Sequence, residues 1–298
     1  MSIYSIIAAF GGGLFAAAIG ALPAFIMTGV FAVLGAALGM AGSAAGGYIV
    51  GQIAFGPFFG PWCSFAAGVV ASSYAKKKGY TENGADIATA LAGLGAPDVL
   101  VVGGIAGIVG FVLKYAVVDV LFGQVIGIGT DGGMIVCTMG LLARFLFGGK
   151  IKTGDKWLST GKALTNNLVV GLGYSILISF VFATAVTSLE GEVLEGFLGN
   201  YAVFVFGIAA IGLIFAEFGQ AFVGCHHIFI MTAIACVACY SHGGSAMTAA
   251  IAGTVVGVIA NLLCDLDTVA FNSGTDSHID GPGFAIFIMT FVCNCIWR

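Results

Sequence analysis

Long uncharged apolar runs, separated by short polar intervals, set the pattern of this chain. A helix that crosses a bilayer needs about 20 apolar residues. No charge falls between residues 3 and 40, which is length enough for two helices, with Gly20 and Pro23 marking the break between them. Residues 42–55 are apolar but short for a span, and they run into Gly56-Pro57-Phe58-Phe59-Gly60-Pro61. Proline denies the preceding residue a helical conformation, so two Gly-Pro steps predict a chain break inside apolar sequence. Such a break persists at membrane depth only where protein buries it or where it lines a watery cavity. Residues 62–75 predict a short helix that stops at Lys76, Lys77 and Lys78.

A polar interval over residues 79–98 follows. Residues 99–113 and 134–147 are apolar, with Lys114, Asp119 and Asp131 between them. Lys114 and Asp119 are five apart and so off a common α-helical face, which reads as two interfacial charges rather than a pair. A basic loop at 148–162 leads to a span over 167–186, and Glu190, Glu192 and Glu195 then predict an acidic loop. The stretches 201–216, 221–240, 245–263 and 284–297 are apolar again. The pattern predicts an all-α polytopic membrane protein, one domain over residues 1–298, with about 10 to 11 transmembrane or re-entrant segments, some of them broken.

Composition agrees. The chain is 59% hydrophobic and 8% charged, against about 25% charge in soluble domains. Its 48 glycines suit close helix approach in lipid and carry no triplet period. A net charge of −4 argues against a nucleic-acid partner and leaves the bilayer and a small solute or ion. Six of the eight cysteines fall in the last third, among apolar neighbours, where free cysteine serves as a small buried residue. The N-terminus shows no basic region of a secretory signal, so the first helix is expected to remain in the mature protein. The positive-inside rule puts Lys76, Lys77, Lys78 and the 148–162 loop in the cytoplasm, and the chain is expected in the cytoplasmic (inner) membrane.

Phe25-Ile26-Met27-Thr28 recurs as Phe229-Ile230-Met231-Thr232, and Gly42-Ser43-Ala44 as Gly244-Ser245-Ala246. Gly60-Pro61 would then pair with Gly281-Pro282. These colinear matches predict repeat units at 3–78 and 201–298, joined by spans over 99–187, with inverted topology. Small-residue-rich surfaces further suggest a homo-oligomer.

The densest polar chemistry lies between Cys264 and Pro282, where Asp265, Asp267, Asp276, His278 and Asp280 occur without a basic neighbour. Asp276, His278 and Asp280 alternate, so an extended backbone would gather them to handle protons or solute, or as candidate ligands of a metal of unknown identity. His226 and His227 sit in apolar sequence, where a polar side chain usually faces a cavity. Neighbours on a helix point about 100° apart, so one of the two is expected on the path. Glu217 and Gln220 mark a second break. The predicted pathway comprises Pro23, Pro57, Pro61, Glu217, Gln220, His226, His227, Asp276, His278, Asp280 and Pro282. Gly224-Cys225-His226-His227 and the Asp276 to Pro282 stretch resemble small bacterial permease-like membrane proteins, a resemblance that implies a transport role and brings no substrate or cofactor with it. No phosphate loop, zinc-protease motif or nucleophile elbow occurs. The expectation is therefore a non-enzymatic secondary transporter, ahead of a channel and, third, a membrane-embedded metal-dependent enzyme.

Overall fold

A computed structural model describes all residues, 1–298, as an all-helical polytopic membrane protein without strands. The first half contains α1 (Ile3–Ile19), α2 (Ala21–Met40), α3 (Ala44–Tyr48), α4 (Phe65–Lys78), α5 (Pro97–Leu113) and α6 (Gly133–Phe147). The second contains α7 (Lys162–Val186), α8 (Gly191–Gly212), α9 (Ile214–Glu217), α10 (His226–Ser241), α11 (Ala246–Phe271) and α12 (Gly281–Ile296). Five stretches are long and apolar enough to cross a membrane: Ala21–Met40, Pro97–Ile126, Lys162–Val186, Gly191–Glu217 and Ala246–Phe271. Gly20, with φ of 102°, makes the sharp turn between α1 and α2 that a side chain would resist. The lysine-rich end of α4 closes on left-handed Gly79, with the Tyr80 amide donating to Ala75 O at 2.9 Å.

Three elements differ from the sequence expectation. α5 does not stop at residue 113 but continues as the wider helix Lys114–Ile126. Wider turns with i→i+5 bonds bring residues five apart together, and the Lys114 ammonium donates to Asp119 Oδ1 at 2.7 Å, so the two charges form a pair after all. The acidic loop is instead the start of α8, whose first turn carries Glu192, where carboxylates complement the helix dipole. α11 runs on past residue 263 to Phe271, so Asp265 and Asp267 are helical. Asp265 accepts from the Ser159 amide and hydroxyl at 2.8 and 2.6 Å, which pins the basic loop to the helix end.

The two Gly-Pro steps produce the predicted break. Residues 55–64 leave the helix and are mostly buried, with Phe58 exposed, and Phe59 O accepts from Thr28 Oγ1 at 2.7 Å and Ser64 Oγ at 2.9 Å. Hydroxyls from α2 and from the break itself thus satisfy a carbonyl that lipid could not. α3, its wider continuation Ile49–Ala54, the break and α4 together make one broken crossing.

The two halves repeat one another, in a register that the tetrapeptides do not indicate. α1, α4 and α5 pack together, and α7, α10 and α11 pack together in the same way. Gly103 and Gly107 of α5 lie against Ala17 and Gly13 of α1, as Gly253 and Gly257 of α11 lie against Ser179 and Ser175 of α7. α2 meets its counterpart α8 antiparallel: Gly29 packs on Gly207, and Gly39 on Asn200. α6 and α12 are likewise counterparts running in opposite directions. Equivalent helices that are antiparallel are related by a twofold axis perpendicular to them, the geometry of an inverted-topology repeat. The repeat units are therefore the two halves. The spans over 99–187 are not connectors, and the counterpart of Pro61 lies in the break before α10, not at Pro282. Apolar tetrapeptides recur along helices of such biased composition without marking equivalence.

Candidate functional site

α6 and α12 are half-length helices that begin in the middle of the molecule and run apart. A Cβ built on Gly133 would lie 2.5 Å from Gly283 O, so the two helix starts touch at the twofold axis. The segment before each helix is extended and runs alongside the other helix. Residues 277–280 descend along α6, with Gly140 against His278 O and the Cys137 thiol 3.3 Å from Asp280 O. Residues 127–132 run along α12, with Thr130 Oγ1 donating to Phe287 O at 2.9 Å and Asn294 Nδ2 to Gly129 O at 2.8 Å.

Each helix start carries an aspartate. Asp131 Oδ1 accepts the Gly133 amide at 2.7 Å, and Asp280 Oδ2 accepts the Gly283 amide at 2.7 Å. One carboxylate oxygen thereby offsets the positive end of its own helix, and the other is left for a further partner. The approach to α12 is held rigidly. Arg144, only 1% exposed, donates to Ser277 Oγ at 2.7 Å, Ser277 O at 2.8 Å, Ile151 O at 2.8 Å and Phe271 O at 2.5 Å. Asn272 pairs with both backbone groups of Ile279 and donates to Asp267 Oδ2 at 2.8 Å.

Two adjoining cavities flank this junction and share Phe25, His226 and Asp280. The inner one, about 40 Å3, is bounded by Phe55, Trp62, Asp131 and Phe206. The outer one, about 130 Å3, extends past His278 to Ile87, Leu213 and Gly224. Ile87 belongs to the loop after Lys76, Lys77 and Lys78, so the larger cavity reaches toward the basic face. His278 Nε2 lies 3.4 Å from Asp280 Oδ1. Rings form a continuous wall: Phe65 on His278 at 5.8 Å between centroids, Phe25 on His226 at 4.8 Å, Phe206 on Phe55 at 5.4 Å, and Phe55 on Trp62 at 6.3 Å. His226 Nδ1 and Trp62 Nε1 are buried without a hydrogen-bond partner.

Of the residues predicted from sequence, Pro61, His226, His278, Asp280 and Pro282 border these cavities. His227 turns away, as the helical offset requires, with Nε2 3.4 Å from Asn261 Oδ1. Asp276 does not join His278 and Asp280. It lies at the surface in a separate depression with Lys76, Lys77 and Lys150, because the chain turns inward at Ser277, where Arg144 grips it. No three His, Cys, Asp or Glu side chains come close enough to hold a metal, so the proposed metal set of Asp276, His278 and Asp280 does not form. Glu217 and exposed Gln220 sit beyond the cavity rim, and Pro23 and Pro57 pack against neighbouring backbone. The cysteines are all free. Asp131, Trp62, Phe25, Phe55 and Phe206 were not anticipated. The signal available for Asp131 was its Asp-Gly step opening a helix, matching Asp280-Gly281 in the other half.

No curated protein matches the chain, and no solved structure does either. One family matches it twice, over residues 1–156 and again over 155–297, dividing it at the same place as the helix packing does. The chain belongs to this family, a family of unknown function designated DUF7973, and carries two copies of its domain.

Proposed function

We propose that the protein moves a small polar or ionic solute across the membrane, as a secondary transporter, with the solute held between the starts of α6 and α12. One observation carries the reading: two half-helices from inverted repeats meet start to start beside a buried cavity with polar groups left unpartnered. Broken helices of opposed repeats that face each other at mid-depth are how many transporters build their solute site. Buried ionisable groups in such a molecule are costly and are retained for function. A carrier is favoured over a channel because the cavities extend toward the basic face, while Phe55 and Trp62 end them on the other side. The basic face, with Lys76, Lys77, Lys78 and the 148–162 loop, is the cytoplasmic one on this reading.

The test is flux into proteoliposomes against a panel of small solutes. A carrier gives uptake that saturates with solute concentration and is accelerated by solute on the opposite side. Flux that stays linear and shows no such acceleration would assign a channel. No flux of any solute would remove the transport reading.

A further inference from the structure

The cavity chemistry narrows the solute, on the transport reading just given. We infer that the junction of α6 and α12 is a site for a small monovalent cation bearing N–H groups, ammonium or a small protonated amine, held by Asp131 and Asp280 against the aromatic wall. The sign of the charge comes from the lining: two carboxylates face the junction, and the nearest cation, Lys114, whose ammonium lies 5.0 Å over the Trp62 ring, is already paired with Asp119 at 2.7 Å. Each carboxylate has spent one oxygen on its own helix, which leaves Asp131 Oδ2 free and Asp280 Oδ1 shared only with His278 at 3.4 Å.

Bare metal ions fit less well. Divalent ions need a set of carboxylate or imidazole ligands that the structure does not assemble. Alkali ions need a shell of oxygens, whereas this wall is built largely of aromatic and aliphatic side chains with only two carboxylates. Aromatic faces do attract an ammonium group, more strongly where water is excluded. His226 supplies a further partner: it is 6% exposed, its Nδ1 has no partner, and it borders both cavities. With the proton on Nε2, Nδ1 accepts an N–H from the solute. Trp62 Nε1, also 6% exposed and unpartnered, is a donor and suits a water accompanying the ion. Size sets the upper limit. The inner cavity of about 40 Å3 is the tighter of the two and the outer one of about 130 Å3 the roomier, and both suit a small solute.

Current measured on wild-type proteoliposomes adsorbed to a solid-supported membrane tests this, because diffusion of neutral ammonia or amine carries no charge. Pulses of ammonium chloride, methylammonium chloride, sodium chloride, potassium chloride, tetraethylammonium chloride and sodium formate are compared, with urea followed by light scattering. The expected result is saturable current of positive sign with ammonium and methylammonium and none with tetraethylammonium. Asp280→Asn and Asp131→Asn should each cut that current at least tenfold. Asparagine caps a helix as well as aspartate, so these variants remain folded, which gel filtration checks. Phe206→Leu should raise the half-saturating concentration severalfold with little change in maximal current. Sodium or potassium currents as large as those of ammonium, or flux of formate or urea in their place, would overturn the amine assignment and leave transport standing. Silence to every probe would overturn both.

Discussion

The broken crossing of the first half and that of the second occupy equivalent places, yet they differ in length and burial. In the first, α3 and its continuation give eleven helical residues, Ala44 to Ala54, before a break that protein covers except at Phe58. In the second, α9 has four residues, and much of the break that follows, residues 218–225, is exposed. The long arm delivers Phe55 into the centre and ends the cavity there, whereas the short arm leaves a cavity bordered by Leu213 and Gly224 on the basic face. The scaffold is symmetric and the access is not. On the proposed transport reading, this is the form of one state of an alternating cycle, with the two arms in unequal conformations.

Accessibility offers the sharpest way to break the comparison. In a cysteine-free background, Gly224→Cys should react with an impermeant thiol reagent applied to the basic face at least tenfold faster than Phe55→Cys. Phe55→Cys should resist the reagent from the other face as well. Equal reactivity from both faces would remove the asymmetry of access.

The tethers of the two half-helix approaches differ next most. Two hydrogen bonds from buried Arg144 to Ser277 and two between Asn272 and Ile279 hold the approach to α12, with Arg144 also tied to Ile151 O and Phe271 O, while one bond from Thr130 and one from Asn294 hold the approach to α6. Arg144→Met leaves several buried acceptors unpaired and should cost about 3–5 kcal/mol. Asn294→Ala should cost only about 1 kcal/mol. Thermal unfolding in detergent reads both, and equal losses would show the two approaches to be held alike.

Contact at the axis comes third. In Gly133→Ala the new methyl would meet the Gly283 carbonyl, a backbone atom that cannot move aside cheaply. A destabilisation of about 1–3 kcal/mol and loss of transport are expected. Gly93→Ala, with nothing within 4 Å of its Cβ, should be silent in both assays. A silent Gly133→Ala would mean that the helix starts do not touch.

The smallest effect concerns the loop over residues 79–96, which borders the outer cavity through Ile87 and has no counterpart in the tight turn after α10. Burial raises the affinity of Asp86 for its proton, but the Thr89 hydroxyl at 2.6 Å and the amides of Ala88 and Thr89 outweigh it, leaving the carboxyl below its usual value of 3.8. A depressed value stabilises the fold above the unfolded value and loses that contribution as pH falls through the folded one. Asp86→Ala should therefore lower the melting temperature slightly near neutral pH, with the difference shrinking below about pH 4. A difference that grew on acidification would contradict these bonds.

Much of this was legible along the chain. Gly20 separates α1 and α2, the two Gly-Pro steps break the third crossing, and α4 ends one turn beyond the position read from sequence, with Lys76, Lys77 and Lys78 as its last turn before Gly79. His226, His278 and Asp280 stood out because polar side chains in apolar sequence are expensive. Asp131 did not, since an aspartate before two glycines is equally the start of any helix. Lys114 and Asp119 were misjudged because a 3.6-residue period was assumed where the helix is wider.

The sequence by itself determined what depends on local composition: helices long and apolar enough to span, breaks where backbone hydrogen bonding fails, and the short supply of charge. Only the tertiary structure decided which helices are equivalent, because apolar sequence constrains burial and not partner. It likewise decided that Asp276 points away from His278, since Arg144, distant in sequence, turns the chain between them. The place first marked by the acidic stretch before Pro282 became a site only when α6 arrived from the other half with Asp131 and Gly133 to complete it.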